Sequence, residues 1–261
     1  MSEKPIIPPI KITDDIYWVG ARTDAPSHLI VTDEGLVLID TGTTDTKDTV
    51  IENIGKMGFD VKDVKHIIHS HGHYDHLGAT TRIIALSGAK TYIGRGDEDA
   101  VMGKNGRTWG KNGRYNPDFL FTPDVIIEDG DELDFGNVHM RFLATPGHTP
   151  GVISMFWNTR YKGVEYLAGM FGGAGLGALS GGALARAELP KTMREDYVRS
   201  VNRIIGEPVE VHIGNHPGNN EHIRKAAALT EDYNPFVEER TWVPFLERMR
   251  DKVIEDYGIK I

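Results

Sequence analysis

The chain of 261 residues has no cysteine. Disulfides, thiolate metal ligands, cysteine nucleophiles and iron–sulfur clusters are excluded, so any metal must be held by histidine and carboxylate. Long apolar runs are also missing. No segment approaches the roughly 18 apolar residues of a membrane span, and Met1 to Ile10 lacks the apolar stretch of an export signal. A cytoplasmic protein with no membrane partner is expected. Positive charge is in deficit, with 29 Lys and Arg against 38 Asp and Glu and a formal charge of −9, which opposes a phosphate backbone and argues against nucleic acid. No Pro/Ser linker and no internal repeat divides the chain, so residues 1–261 are read as one domain.

Strand and helix patterns alternate along the sequence. Ile16-Tyr17-Trp18-Val19 and the two runs around Asp33-Glu34-Gly35, His28 to Thr32 and Leu36 to Ile39, predict strands joined by a turn. Thr46 to Met57 has Val50, Ile51 and Ile54 at helical spacing before Gly58. Val64 to His69 predicts a strand, Leu77 to Leu86 a helix and Lys90 to Ile93 another strand, an order that indicates an α/β layered fold. Residues 103–121 show no period and predict a long surface loop or short helices. Strands are expected at Val125 to Ile127, Val138 to Ala144, Gly151 to Trp157, Val164 to Ala168 and Val209 to Ile213, and helices at Glu188 to Ile205 and Glu221 to Leu229. The tail, with Trp242, Phe245, Leu246, Met249, Val253 and Tyr257 near i, i+3/i+4 spacing, predicts an amphipathic helix over about residues 240–258, opening at Pro244. Its outward side offers a face for a homo-oligomer.

His71-Gly72-His73-Tyr74-Asp75-His76 packs three histidines and an aspartate into six residues directly after a strand. In an extended segment His71 and His73 point to one side and can share a cation, while Asp75 and His76 at the following turn can face a second. His148, within Thr145-Pro146-Gly147-His148-Thr149-Pro150-Gly151, and His216, within Gly214-Asn215-His216-Pro217-Gly218, stand in similar strand-to-loop settings. Their Pro and Gly neighbours fix tight loops. Divided three and three, six donors suit two zinc ions with open positions, as catalytic sites require. A purely structural metal site or incidental surface histidines are the alternative reading.

HSHGHYDH, ATPGHTPG and GNHPG, in that order, resemble the metallo-β-lactamase fold superfamily, from about Ile16 to about Leu229. Within it the chain is most similar to the third subclass of metallo-β-lactamases, which binds two zincs without cysteine. The resemblance implies a four-layer αββα sandwich. It also implies His71, His73 and His148 on the first zinc, and Asp75, His76 and His216 on the second. Asp40, followed by Thr41-Gly42, is the expected partner behind the ligands. Where glyoxalase-like, lactonase-like and diiron members place a bridging aspartate, this chain has Gly169 and Met170.

The implied chemistry is attack by a hydroxide held between two zincs on an amide, β-lactam or ester carbonyl of a small-molecule substrate, with Asp75 orienting the nucleophile. Lactonase or thioester hydrolase, a non-catalytic ligand-binding protein, and an iron redox site are the alternatives. Lys104, Arg107, Lys111 and Arg114 lie in a stretch without acidic residues and are expected to draw in an anionic substrate, with Trp109, Tyr115, Met170 and Phe171 shaping its pocket. A solvated loop is the other reading of that stretch. Residues 169–182, with seven glycines but no complete phosphate-binding motif, are expected to form a flexible wall. His28, His66, His69, His139 and His212 lie on apolar strands and are expected to be core residues or partners of the ligands.

Overall fold

Leu36-Val37-Leu38-Ile39 is apolar at every position, so a strand made from it needs cover on both faces. The computed structural model, which describes residues 6–23, 26–108 and 117–260, shows what provides that cover. One sheet runs β1 (Ile10–Lys11), β2 (Ile16–Trp18), β3 (His28–Thr32), β4 (Gly35–Ile39), β5 (Val64–His69), β6 (Lys90–Gly94) and β7 (Val125–Ile127). Its first four strands are antiparallel neighbours, whereas β4 through β7 are parallel. The second sheet comprises β8 (Glu132–Phe135), β9 (Val138–Ala144), β10 (Ile153–Tyr161), β11 (Val164–Met170) and β12 (Val211–His212), in the order β12-β11-β10-β9-β8. Only its β11–β12 pair is parallel.

Period-two alternation sorts the strand residues into layers. Val37 and Ile39 of β4 and Ile68 of β5 meet Met140, Phe142, Met155 and Trp157 of β9 and β10 in the core between the sheets. Leu36, Leu38, Val64 and Ile67 face the other way. They pack against Ile54 of α1 (Lys47–Lys56) and Ile83 of α2 (Thr80–Ser87). On the far side, Phe156 and Leu143 lie under Tyr197, Val201 and Ile204. The short α3 (Glu98–Val101) and α4 (Gly181–Arg186) precede α5 (Met193–Ile204), which carries those three residues. After α6 (His222–Ala228) and α7 (Pro235–Glu238), α8 (Trp242–Tyr257) adds Trp242, Phe245, Leu246 and Val253 to the same layer. Helices, sheet, sheet and helices make the four layers, and burying each large apolar side chain contributes about 1.5–3 kcal/mol.

Several expectations change. Residues 169–182, expected as a flexible wall, contain regular structure: a 3₁₀ turn at Leu176–Leu179 runs into α4, whose N-terminus is capped when Ser180 Oγ accepts from the Ala183 N–H. His139 is exposed on β9, beside Asp134, and not in a core, because it occupies the solvent-facing parity of an edge-proximal strand. His28, His69 and His212 are buried, whereas His66 is half-buried with Nδ1 2.8 Å from the Tyr92 hydroxyl. No helix among the described residues is long and apolar enough to cross a membrane.

Candidate metal centre

Parallel strands end on the same side, so β4, β5 and β6 deliver the segments that follow them to one edge of the first sheet. In the second sheet β9, β11 and β12 run in a common direction and do the same. The loops beyond all six strands carry the chemistry, as is usual at the carboxyl ends of strands in α/β folds. The two edges are tied together where the Ile153 N–H donates to the Ser70 carbonyl at 3.0 Å, and within the second edge Asn215 Nδ2 donates to the Gly172 carbonyl at 2.6 Å.

Asp40, directly after β4, is fully buried and takes a left-handed backbone (φ 58°), which Asp tolerates better than most residues. Its Oδ1 accepts from the Ser70 N–H at 2.8 Å, and Oδ2 accepts from the Ser70 hydroxyl at 2.7 Å and from His76 Nδ1 at 2.8 Å. Burial alone would raise its pKa, but the neighbouring His76, then His69 and the Ser70 amide, hold it below the ordinary carboxylate value. An ionised carboxylate only accepts. The Ser70 proton therefore goes to Asp40, and the Ser70 oxygen accepts from His71 Nδ1, 3.1 Å away. His71 Nε2 is left as a bare lone pair.

The same logic applies to His148, whose Nδ1 lies 2.5 Å from the Gly175 carbonyl and must donate to it, leaving Nε2 unprotonated. Yet His148 Nε2 stands 3.2 Å from His71 Nε2 and 2.9 Å from His73 Nδ1, and the last two atoms are 3.2 Å apart. Burial first, and the surrounding histidines second, push His71 and His73 well below the usual imidazole pKa, so neither is positively charged near neutrality. Burial lowers His148 to about 4. Two bare lone pairs facing each other at 3.2 Å repel unless a cation sits between them. Nitrogens at about 2.0–2.1 Å from a tetrahedral zinc lie about 3.3 Å apart, close to this spacing.

Asp75, His76 and His216 form a second group. His76 Nε2 and His216 Nε2 are 3.7 and 3.8 Å from Asp75 Oδ2, and the two imidazoles cross at 86°. Burial opposes the charged form of His76, but Asp40 and then Asp75 raise its pKa; with Nδ1 donating to Asp40, the buried Nε2, which has no hydrogen-bond partner among the described residues, is the atom left to meet a cation. Within each group the ligand atoms lie within 4.8 Å of one another. The His71 and His76 rings are 4.1 Å apart, so the groups are adjacent. The donor chemistry fits zinc in both: imidazole nitrogen and one carboxylate, with no softer ligand.

Local backbone geometry explains the glycine before His148. Gly147 has φ +144°, and a Cβ there would lie 2.5 Å from Tyr197 Cα, so only glycine lets this loop press against α5.

The pocket residues expected from sequence divide differently. Met170, the last residue of β11, lies fully buried in the inter-sheet core, and Phe171, just after it, packs on Tyr197 in the outer layer, so neither presents a surface to a substrate: successive residues turn to opposite faces, and both faces are covered. Arg107 is half-buried, and its Nε donates to the Ala187 carbonyl at 3.0 Å, just after α4. Its loop reaches the histidine motif through the Tyr74 N–H, which donates to the Thr108 carbonyl at 2.8 Å. Trp109, Arg114 and Tyr115 lie outside the described residues. Sequence reasoning missed Ser70, whose adjacency to the motif was the available signal, and Gly175, whose contribution is a backbone oxygen.

Residues 22–160 match the sequence model of the Metallo-beta-lactamase superfamily. A hydroxyacylglutathione hydrolase of Methylococcus capsulatus is 28% identical over 148 residues, covering 57% of this chain and 46% of the relative. The first curated relatives are matched over only 46–65% of their own length. Two solved structures show the same fold nearly end to end. The FEZ-1 metallo-beta-lactamase of Legionella gormanii has a TM-score of 0.87 at 24% identity, covering 98% of this chain and 97% of that one. BJP-1, a subclass B3 metallo-beta-lactamase of Bradyrhizobium japonicum, has a TM-score of 0.85 at 24% identity, covering 98% and 95%. With two facing sheets, helices on both outer faces and two histidine-rich groups at the shared strand edge, the chain belongs to the metallo-beta-lactamase superfamily.

Proposed function

We propose that the protein is a zinc-dependent hydrolase in which His71, His73 and His148 hold one ion and Asp75, His76 and His216 a second, and which opens an amide, β-lactam or ester carbonyl of a small molecule. The observation that carries this reading is the confrontation of His71 Nε2 and His148 Nε2 at 3.2 Å, two lone pairs that a cation between them reconciles. Superfamily membership and the fold shared with metallo-beta-lactamases support it.

Zinc bound there would supply carbonyl polarisation and acidify a water towards a pKa of about 7. The chain's own groups organise that chemistry. Asp40 and Ser70 fix the tautomers of His76 and His71, and the Gly175 carbonyl fixes that of His148, so the donor nitrogens face the site before anything binds. Asp75, with 18% of its side chain exposed, reaches the open side of the second group; it orients the attacking water and takes its proton. Gly169 and Met170 place no carboxylate at the metal-site end of β11, which counts against the lactonase and thioester-hydrolase alternatives.

Turnover of a chromogenic cephalosporin by the purified protein is the test. It is expected to vanish on dialysis against a chelator and to return with zinc; a stripped protein that retained full turnover would refute the reading. A zinc-loaded protein inert to the cephalosporin but active on linear amides or esters would retain the hydrolase and reassign its substrate.

A further inference from the structure

Asp97 begins α3, at the N-cap position where aspartate ordinarily accepts from the first helical N–H groups, yet its side chain makes no cap hydrogen bond. The carboxylate points instead into the ligand loops and is buried at 1% exposure. Oδ2 accepts from the Gly72 N–H at 2.7 Å and from the Thr149 hydroxyl at 2.6 Å, and Oδ1 accepts from the Gly151 N–H at 3.0 Å. Gly72 lies between His71 and His73, and Thr149 follows His148 directly. One carboxylate therefore joins the residue between His71 and His73 to the loop of His148, and its three hydrogen bonds go neither to Asp75 or His76, farther along the first segment, nor to the His216 loop. The approach is close: a Cβ on Gly151 would lie 2.4 Å from the Asp97 amide nitrogen.

The geometry points to Asp97 as a positioning residue that sets the metal affinity of the His71, His73 and His148 site selectively, by holding the two ligand loops at their mutual spacing. This rests on the reading of those three histidines as a metal site. The two backbone N–H groups can only donate, and they meet different oxygens. However the amide of Asp97→Asn is turned, one of them loses its acceptor to an NH₂ group. Removing such a partner typically lowers metal affinity by about 10–100-fold.

Cobalt(II) titration followed by visible absorption tests the inference without measuring turnover. His216→Ala leaves the first group to be read alone, and His148→Ala leaves the second. Asp97→Asn is expected to weaken cobalt binding by about 10–100-fold in the first background and by less than about threefold in the second. Thr149→Val, nearly isosteric and lacking only the hydroxyl, should give a smaller loss confined to the first background, and it decides the matter should Asp97→Asn fail to fold. Equal losses in both backgrounds, or no loss in the first, would overturn the positioning role. A parent protein that binds no cobalt in either background would instead overturn the metal reading on which it rests.

Discussion

Asp75→Asn is expected to lower turnover by about 10²–10⁴-fold, the range associated with loss of a positioned acid–base group. The substitution keeps the shape of the side chain and removes its charge and its ability to take a proton. Asp75 Oδ2 stands 3.7 and 3.8 Å from the His76 and His216 nitrogens, so the second group should also bind metal more weakly. The two effects separate on adding zinc. Saturating the site restores occupancy but leaves the proton without an acceptor, so kcat should stay depressed at full metal content. Wild-type kcat at full zinc occupancy would remove Asp75 from the chemistry and leave it a ligand only.

Asp40→Asn is expected to be damaging in another way, because Asp40 is fully buried and serves two groups at once. Its Oδ2 accepts from His76 Nδ1 and from the Ser70 hydroxyl, which in turn accepts from His71 Nδ1, while Oδ1 accepts from the Ser70 amide. An asparagine amide turned to keep the Ser70 N–H bond places its NH₂ against the His76 N–H; turned the other way it faces the Ser70 N–H. Either arrangement loses a charge-assisted bond and leaves buried donors opposed. Disrupting one partner of such a buried arrangement costs about 3–5 kcal/mol. Metal affinity should fall about 10–100-fold at both groups, in contrast to the single group affected through Asp97. Urea unfolding of the metal-free protein measures the first effect and zinc titration the second. A variant with wild-type stability and unchanged affinity at both sites would show that tautomer control by Asp40 is not needed.

The parts of this structure that were legible in sequence are those in which one strong local signal decides. Val64–His69, Val125–Ile127 and Val138–Ala144 are apolar or alternating runs with clear ends, and their strand bounds agree with the sequence reading. The histidine motif was legible because four donors within six residues have few other uses. Short elements were not: α3 and α4, with four and six residues, cannot establish a helical period, and β8 is masked by the turn around Gly136. Facing was the harder problem. Met170 and Phe171 were expected at the pocket, but only the pairing of β11 with β10 reveals that Met170 enters the inter-sheet core, and only the packing of α5 reveals that Phe171, one residue beyond the strand, enters the outer one. Asp97 was invisible for a related reason, since its local setting is that of an ordinary helix start and its partners lie 25, 52 and 54 residues away.

The tail shows both outcomes in one element. Trp242, Phe245, Leu246 and Val253 pack into the outer core as their spacing required, while Val243 on the other side is 43% exposed. The charged stretch near Arg107 resolves in part: its guanidinium bonds the Ala187 carbonyl and so braces the loop against the end of α4.

Each of the two adjacent donor triads is proposed to hold a zinc ion. Elemental analysis of zinc per chain, after loading and removal of unbound metal, tests it most directly. The account predicts two zinc ions in the wild type, one in His216→Ala and one in His148→Ala. A wild type that holds none, or variants that hold as much as the wild type, would contradict it.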